Sequence, residues 1–527
     1  MIPNSPAGGE KPRLQHQHVS RGAFLAAMLV VAAVSVALRG DATPDVSWLI
    51  TMCERILNGE RAYVDIVETT PPVPMLLYMP GAVVAKYIGG APETWTFAFS
   101  YACAFGSLWL AARILPTYLA DGGRSDWLVL APAAVALFLL PRDAFAQREY
   151  FAAAWALPMT AVFIRHAEDQ TWPPLTDRVL AAILGGLTIA VKPPLFALPG
   201  VLVGLYCWAR TRSPSFLLPS GLVAAAAIGL AVTAASLAAF PDYLRNMSGI
   251  MRDIYVPARA PAEALLYDRS CLGALLCLGI TLILSLRGGA PAATISAIVA
   301  GGFLAVDSIQ GKYFSYHAYP ATPFCAAAAC VVIFRRLRQL DETAFLARAA
   351  TAGMYGLAAC VIAVLFLIGF ADGRPVTRDL TWARALSHPR ALAVSPIEDT
   401  SFPLARRIGA VWVGHSHSQW IARYTRSAWG SNALTPEQWE RYLKYHRSDL
   451  DTILREIRDK RPEIIIEDIR PTFSWLEPEL NALQPGFLDD YAVIADEGAV
   501  RVLRLMSTTV SGSPDDSPAD ENHKAGR

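Results

Sequence analysis

Long apolar blocks alternate with short polar segments over the first 370 residues of the chain. The blocks run for roughly 17–25 residues, the length that a helix needs to cross a bilayer core. Because hydrocarbon offers no partner to backbone polar groups, such blocks must form helices. The pattern predicts about 11 transmembrane helices, at 22–39, 95–115, 126–141, 150–165, 178–191, 195–210, 216–240, 271–286, 290–306, 318–334 and 349–370.

The placement of lysine and arginine predicts how these helices are oriented, because cytoplasmic loops carry an excess of both. Basic residues gather in short loops, near Arg124, Arg165, Arg210, Arg287 and Arg335. Taking these loops as cytoplasmic places the tail 1–21 inside, and the first loop 40–94 and everything after 370 outside. The loop 240–270 also carries arginines, and it weighs against this orientation.

The apolar segment 73–88 affects the sidedness of every later loop. It is short and follows Pro71-Pro72, so we interpret it as a re-entrant or interfacial helix within the first outer loop. If it crossed the membrane, the sidedness of everything after it would reverse. The pattern alone leaves that alternative open.

Beyond residue 370 the apolar blocks stop and shorter periodic segments follow. Tyr442–Arg461 carries its leucines and isoleucines on one face, which predicts an amphipathic helix. Short strands are predicted at 390–394, 411–414, 463–466, 491–495 and 500–505. We therefore predict a small α/β domain over 371–508 and a disordered tail, rich in serine, proline and aspartate, over 509–527.

Composition supports this architecture and narrows the range of partners. Of the 527 residues, 54% are hydrophobic and 17% are charged, whereas soluble domains carry about 25% charged residues. The net charge of +1 gives no electrostatic reason to expect nucleic acid, and the cysteines show no disulfide or zinc pattern. The chain is predicted to be a polytopic α-helical membrane protein with a small C-terminal α/β extracytoplasmic domain.

The first outer loop contains the strongest chemical signal. Thr43 followed by Pro44 is a typical helix start, and Asn58-Gly59 is a typical helix stop. The helix between them carries Asp45 in its first turn, where the helix dipole favours an ionised carboxylate. Asp45 is therefore a candidate general base, although the same position is equally typical of a residue that only stabilises the helix start.

The whole loop resembles the first periplasmic loop of the GT-C superfamily of membrane glycosyltransferases. The resemblance rests on Asp45, Gly59, Tyr63 and Pro71-Pro72, in that order before an apolar helix. The superfamily includes the dolichyl-phosphate-mannose protein mannosyltransferases and the aminoarabinose transferases of lipid A. Many members have adjacent acidic residues at the catalytic point, whereas Val46 follows Asp45 here, so Asp41 is a second candidate for the same role.

This resemblance implies the reaction and its setting. The donor would be a sugar on a polyprenyl phosphate, transferred with inversion to a glycolipid, polysaccharide or protein acceptor. The enzyme would lie in a bacterial inner membrane, with its active site facing the periplasm. Metal dependence stays open, because some members use a divalent cation and others do not. Within the same loop, Tyr63, Asp65 and Glu68 are predicted near the acceptor or a metal ion.

Charged residues beside apolar spans are costly, so they are candidates for binding the donor phosphate. Those expected at the outer surface are Arg148, Lys192, Lys312 and His317. Glu149 falls where the superfamily has its second acidic loop, so we predict it near the acceptor or a metal. An interfacial ion pair at 148–149 and a snorkelling Lys192 are the structural alternatives. The loop 240–270 is either a lid over the donor or a solvated loop.

Other functions fit the sequence less well. A transporter would show internal repeats, which this chain lacks. A flippase or ligase for lipid-linked glycans and a non-catalytic membrane scaffold remain alternatives, and neither would depend on Asp45. Two short patterns are weak signals. His415 and His417 suggest a metal site, but no third ligand is apparent in the sequence. Asn246-Met-Ser248 matches a glycosylation sequon, a pattern that often arises by chance.

Overall fold

The computed structural model of the protein describes residues 21–38, 41–115, 125–260, 291–312, 314–338, 380–430 and 434–506, with a few single positions between 263 and 279. These residues form two compact units, divided between Thr377 and Arg378. The predicted tail at 509–527, the span 349–370 and positions 1–20 lie outside the described residues, as does nearly all of the span 271–286.

Helices are the main secondary structure among the described residues of the first unit, as its apolar sequence predicts. Its helices are α1 (Arg21–Leu38), α2 (Pro44–Leu57), α3 (Pro72–Leu76), α4 (Met79–Ile88), α5 (Pro92–Ile114), α6 (Ser125–Phe138), α7 (Arg148–Asp169), α8 (Leu175–Val191), α9 (Leu198–Thr211), α10 (Leu222–Ala239), α11 (Ser248–Ile250), α12 (Pro291–Gln310), α13 (Ser315–Ala318) and α14 (Thr322–Arg338). Short 3-10 turns lie at Arg142–Ala144, Leu195–Ala197, Pro214–Phe216 and Tyr319–Ala321, and π-helical turns at Tyr243–Met247 and Met251–Tyr255 flank α11.

Several of these helices are suited to a bilayer. Within the described residues, four segments are long and apolar enough to cross a membrane: Pro92–Ile114, Leu222–Ala239, Pro291–Gln310 and Tyr316–Ile333. Helices also occupy the other predicted spans that fall in this part of the chain, but those helices are not among the four. The predicted count of about 11 spans is therefore not confirmed.

The apolar segment 73–88 forms two helices rather than the single helix that we predicted. The first, α3, ends at Leu76, and α4 begins at Met79. Pro80 lies in the first turn of α4, where proline is tolerated because the amide there has no helical partner. A continuous helix through Tyr78 would instead place that proline in a helix interior and lose a backbone hydrogen bond.

Glycines allow α8 and α10 to approach each other closely. A Cβ atom on Gly186 would lie 2.7 Å from Cγ2 of Ile228, and one on Gly229 would lie 2.9 Å from the carbonyl oxygen of Gly186. Small residues at a contact of this kind are typical of membrane helix pairs. Lys192 directly follows the last residue of α8, so this packing also fixes the position of the Lys192 backbone.

The second unit contains a mixed sheet with helices. Its strands are β1 (Arg390–Val394), β2 (Val411–Trp412), β3 (Ile464–Asp468), β4 (Tyr491–Glu497) and β5 (Val500–Leu505), and its helices are α15 (Glu398–Ser401), α16 (Leu404–Arg407), α17 (Trp420–Trp429), α18 (Pro436–Lys460) and α19 (Leu476–Leu483). The strand order among the described residues is β2-β1-β3-β5-β4. Strand β1 runs parallel to β2 and β3, whereas β5 runs antiparallel to β3 and β4.

Helix α18 begins six positions before the predicted start at Tyr442. Thr435 and Gln438 form a reciprocal capping box ahead of it, with Pro436 in the first turn, and this start signal precedes the apolar periodicity. Most of the predicted apolar face is buried, because Leu450 and Ile453 belong to the core together with Leu392 and Ile465 of the sheet. Leu443, near the start of that face, is exposed.

Candidate functional site

Helix α2 places Asp45 at the start of the first loop. Pro44 occupies its first turn, and the Ser47 amide donates to the Thr43 carbonyl at 2.8 Å. The Thr43 hydroxyl makes no side-chain cap, contrary to our prediction. It instead accepts a hydrogen bond at 3.0 Å from Nε2 of Gln147, the residue before α7. The hydroxyl thus ties the start of α2 to the start of α7.

This tie brings Asp45 next to Arg148, the first residue of α7. Oδ2 of Asp45 lies 3.3 Å from Nη2 of Arg148, and the two side chains are 17% and 12% exposed. Nη1 of Arg148 donates to the hydroxyl of Thr70 at 2.6 Å. Nε of Arg148 is buried without a hydrogen-bond partner in the described part of the chain. The guanidinium therefore keeps donors for a further anion.

Glu149 points into the protein and pairs with Lys192. Nζ of Lys192 donates to Oε1 of Glu149, and it donates to Oε1 of Gln310 at 2.8 Å. The Glu149 side chain is fully buried and that of Lys192 is 16% exposed. Burial lowers the pKa of Lys192, and the carboxylate of Glu149 opposes that shift. A buried carboxylate needs such a partner, because an unpaired buried charge is strongly destabilising.

His317 lies between two buried carboxylates. Its Nε2 is 3.7 Å from Oε1 of Glu149, and its Nδ1 is 3.9 Å from Oδ1 of Asp307. Both distances exceed those of ordinary hydrogen bonds. Asp307, which is also fully buried, was not among the predicted site residues. A carboxylate in the apolar helix α12 was the signal that could have identified it.

Five predicted site residues thus come together in one network that joins α2, α7, the end of α8 and α13. We call it the polar cluster, and its members are Asp45, Arg148, Glu149, Lys192 and His317. It combines a partly exposed carboxylate–guanidinium pair with a buried carboxylate–ammonium pair. Both side chains of the first pair retain some exposure, whereas Glu149 of the second pair has none.

Lys312, also a predicted phosphate ligand, makes its contacts outside the polar cluster. Its Nζ donates to the carbonyl oxygens of Tyr255 and Ala258 and lies 4.4 Å from the centre of the Tyr255 ring. Burial lowers the pKa of Lys312 to about 8, and the nearby Arg259 acts in the same direction. In this arrangement the ammonium group fastens the segment after α11 to the loop that precedes α13.

The remaining predicted residues of the first loop have mostly structural contacts. Glu68 accepts hydrogen bonds from Nε1 of Trp48 and from the Thr70 amide, both at 2.6 Å. Asp65 accepts a hydrogen bond at 2.8 Å from the amide of Arg61, four positions earlier in the same turn. Asp41 is exposed ahead of α2. Their predicted functional roles stay predictions.

Tyr63 organises the stretch of loop that ends at Thr70. Its backbone φ is 66°, a left-handed value that is unusual for a side chain of this size. Its hydroxyl donates to the carbonyl of Thr70 at 2.9 Å, and its own carbonyl accepts from Nδ2 of Asn246 at 2.7 Å. Tyr63 therefore supports the residue that contacts Arg148. The asparagine of the sequon, in turn, uses its amide inside the protein.

No group of three or more His, Cys, Asp or Glu side chains within the described ranges is arranged to hold a metal ion. His415 has a different environment: its Nδ1 lies 2.9 Å from Oε2 of Glu456 and its Nε2 lies 3.7 Å from Oδ1 of Asp449. Burial alone would lower the pKa of His415, but the neighbouring carboxylates of Asp449 and Glu456 raise it to about 9. A protonated imidazole has no lone pair for a metal.

Comparison with known proteins identifies the fold. Neither a protein-family model nor a curated protein matches the chain. Among the solved structures that do match is that of ArnT from Cupriavidus metallidurans bound to undecaprenyl phosphate, with a TM-score of 0.57 and 17% sequence identity. The alignment covers 92% of this chain and 98% of that one. At this level of identity the likeness establishes the fold alone.

ArnT is a lipid A aminoarabinose transferase, one of the two kinds of enzyme whose first periplasmic loop the sequence resembles. The comparison extends that likeness from about 60 residues of loop to nearly the whole chain. The predicted GT-C-like fold is therefore confirmed, and the chain shares the fold of a GT-C membrane glycosyltransferase.

Proposed function

We propose that the protein transfers a sugar from a polyprenyl-phosphate donor to an acceptor at the outer face of a bacterial inner membrane. The observation that carries this proposal is the contact between Asp45 and Arg148 at 3.3 Å. The contact supports the proposal because a carboxylate that can accept a proton lies beside a guanidinium that can bind a phosphate. The ArnT fold, solved with undecaprenyl phosphate bound, supports the choice of donor.

The reaction needs both groups at once. The acceptor hydroxyl attacks the anomeric carbon, the bond from that carbon to the phosphate oxygen breaks, and the configuration inverts. Asp45 takes the hydroxyl proton as the new glycosidic bond forms. The departing polyprenyl phosphate gains negative charge, which the guanidinium of Arg148 and the hydroxyl of Thr70 stabilise by hydrogen bonds.

The buried part of the polar cluster has a supporting role in this proposal. Lys192 adds positive charge beneath Arg148 while Glu149 and Gln310 hold it in place. His317 is close enough to Glu149 to restrain it. Lys312 is tied to two carbonyl oxygens, so we assign it to fastening the loop and give the phosphate to Arg148.

The test is a comparison of Asp45→Asn with wild type, using the profile of envelope glycolipids and glycans and the amount of each protein in the membrane. We expect the product to disappear while membrane levels stay normal. Glu60→Gln is the matched control, because Glu60 lies in the same loop, is not a predicted site residue and pairs with Arg55. An unchanged product in Asp45→Asn would overturn the proposal and favour a scaffold or flippase.

A further inference from the structure

The polar cluster holds its two cations unequally. Lys192 donates to both Glu149 and Gln310, and Glu149 is fully buried. Arg148 meets Asp45 through one contact of 3.3 Å, longer than the 2.7–2.9 Å that is typical, as a rough range, of strong charge-assisted hydrogen bonds. Arg148 is therefore the cation that an incoming anion can recruit at least cost.

The guanidinium of Arg148 has the donors for that exchange. Of its five N–H groups, one bonds Thr70 and one faces Asp45. Nε makes no hydrogen bond to any described residue and lies 4.0 Å from Oε2 of Glu149. Nε and Nη2 lie on the same edge of the guanidinium, and that edge can bind two oxygens of one phosphate. The bond to Thr70 can hold Arg148 in place after Asp45 has left.

The direction of the exchange follows from electrostatics. A cation beside a carboxylate makes that carboxylate a weaker proton acceptor, and a nearby anion makes it a stronger one. While Asp45 faces Arg148, one of its carboxylate oxygens lies against the guanidinium. A phosphate that takes over Arg148 removes the cation from Asp45 and adds negative charge nearby.

We propose that the phosphate of the polyprenyl donor displaces Asp45 from Arg148, so that donor binding activates the general base. This inference rests on the proposed function and adds its regulation. The carboxylate is then free of Arg148 only when a donor is present, and the donor binds before the acceptor hydroxyl loses its proton. Glu149 is a positioning residue here, because it keeps Lys192 from taking the place of Arg148 on Asp45.

Chemical labelling of Asp45 tests the coupling without measuring transfer. Dicyclohexylcarbodiimide modifies protonated carboxyl groups, so a carboxylate that is freed from a cation reacts faster. The full-length protein in detergent is labelled with and without undecaprenyl phosphate, and modified peptides are counted by mass spectrometry. We expect labelling of Asp45 to rise several-fold with undecaprenyl phosphate, while labelling of Asp65, which pairs with Arg61, stays constant.

Two variants distinguish displacement of Asp45 from Arg148 from a change in how easily the reagent reaches Asp45. In Arg148→Gln, Asp45 should label strongly without ligand and gain nothing from undecaprenyl phosphate. In Arg148→Lys, which keeps the charge, labelling without ligand should stay near the wild-type level. Retention of undecaprenyl phosphate by the delipidated wild-type protein is measured in parallel. If it is not retained, the proposed donor fails and the coupling fails with it. If it is retained and Asp45 labelling does not rise, only the coupling is overturned.

Discussion

The ammonium group of Lys192 donates to the fully buried carboxylate of Glu149, across 43 positions of sequence. This pair joins the end of α8 to the start of α7, directly beneath Arg148. Gln310 extends the link to the end of α12. The reactive pair of Arg148 and Asp45 therefore rests on a second, buried pair, whose integrity can be tested separately.

Removing one member of the buried pair should harm the protein more than removing both. Glu149→Gln leaves the charge of Lys192 buried without its partner, which typically costs about 3–5 kcal/mol. Glu149→Gln combined with Lys192→Gln removes both charges and should recover most of that loss. The measurement is the thermal midpoint of unfolding in detergent.

An exposed pair serves as the control for this comparison. The side chains of Arg61 and Asp65 are 69% and 44% exposed and lie 3.8 Å apart, so neutralising them should change stability by less than about 1 kcal/mol. A single Glu149→Gln variant as stable as the double variant would mean that Lys192 is not held by charge.

The close approach of α8 and α10 gives a second prediction. Gly186→Ala would place a Cβ atom 2.7 Å from Ile228 and 2.9 Å from the carbonyl oxygen of Ala225. Overpacking of this kind costs roughly 1–3 kcal/mol, so the thermal midpoint should fall. Gly106→Ala is the matched control, because a Cβ atom there meets nothing within 4 Å. It should leave stability unchanged or raise it slightly, by up to about 1 kcal/mol. Equal midpoints for the two variants would contradict the predicted clash.

Local patterns in the sequence were sufficient to locate α2 and Asp45. Pro44 and Asn58-Gly59 mark the ends of that helix, and the structure has it at Pro44–Leu57. The strands of the second unit also lie at their predicted places, because period-two patterns and turn residues act over a few positions. The predicted cap by the Thr43 hydroxyl was wrong because a distant residue determines its bonding. Gln147, 104 positions away, donates to that hydroxyl.

The partners within the polar cluster could not be derived in this way. Asp45 and Arg148 are 103 positions apart, and Lys192 and Gln310 are 118 apart. Only the packing of the helices brings such residues together, and local patterns in a single sequence do not show which helices pack against each other. Asp307 was missed although a carboxylate in an apolar span is a signal of function, because the sequence does not show that Asp307 lies beside His317.

The environment of His415 gives the last prediction, a dependence of stability on pH in the second unit. The carboxylates of Asp449 and Glu456, which lie 3.7 Å and 2.9 Å from its ring nitrogens, raise the pKa of His415 from its ordinary value of 6.5 to about 9. Lys460 also pairs with Glu456. A group whose pKa is raised by folding stabilises fully below its unfolded pKa and loses that effect as pH rises through the folded pKa. Stability should therefore decline between about pH 6.5 and 9, by about 3 kcal/mol in all.

Hydrogen exchange of the α18 amides in the full-length protein, corrected for the intrinsic effect of pH on exchange, measures this decline. His415→Gln should be less stable than wild type at pH 6 and should show little further loss up to pH 9. His388→Gln is the control, because His388 is exposed and contacts only the Gly409 carbonyl among its hydrogen-bond partners in the described chain. It should keep the wild-type slope. Protection in wild type that stays constant across this range would mean that His415 is not held as a cation between its two carboxylates. The same result would reopen the sequence-based alternative of a metal site at His415 and His417, because a neutral imidazole regains the lone pair that a metal needs.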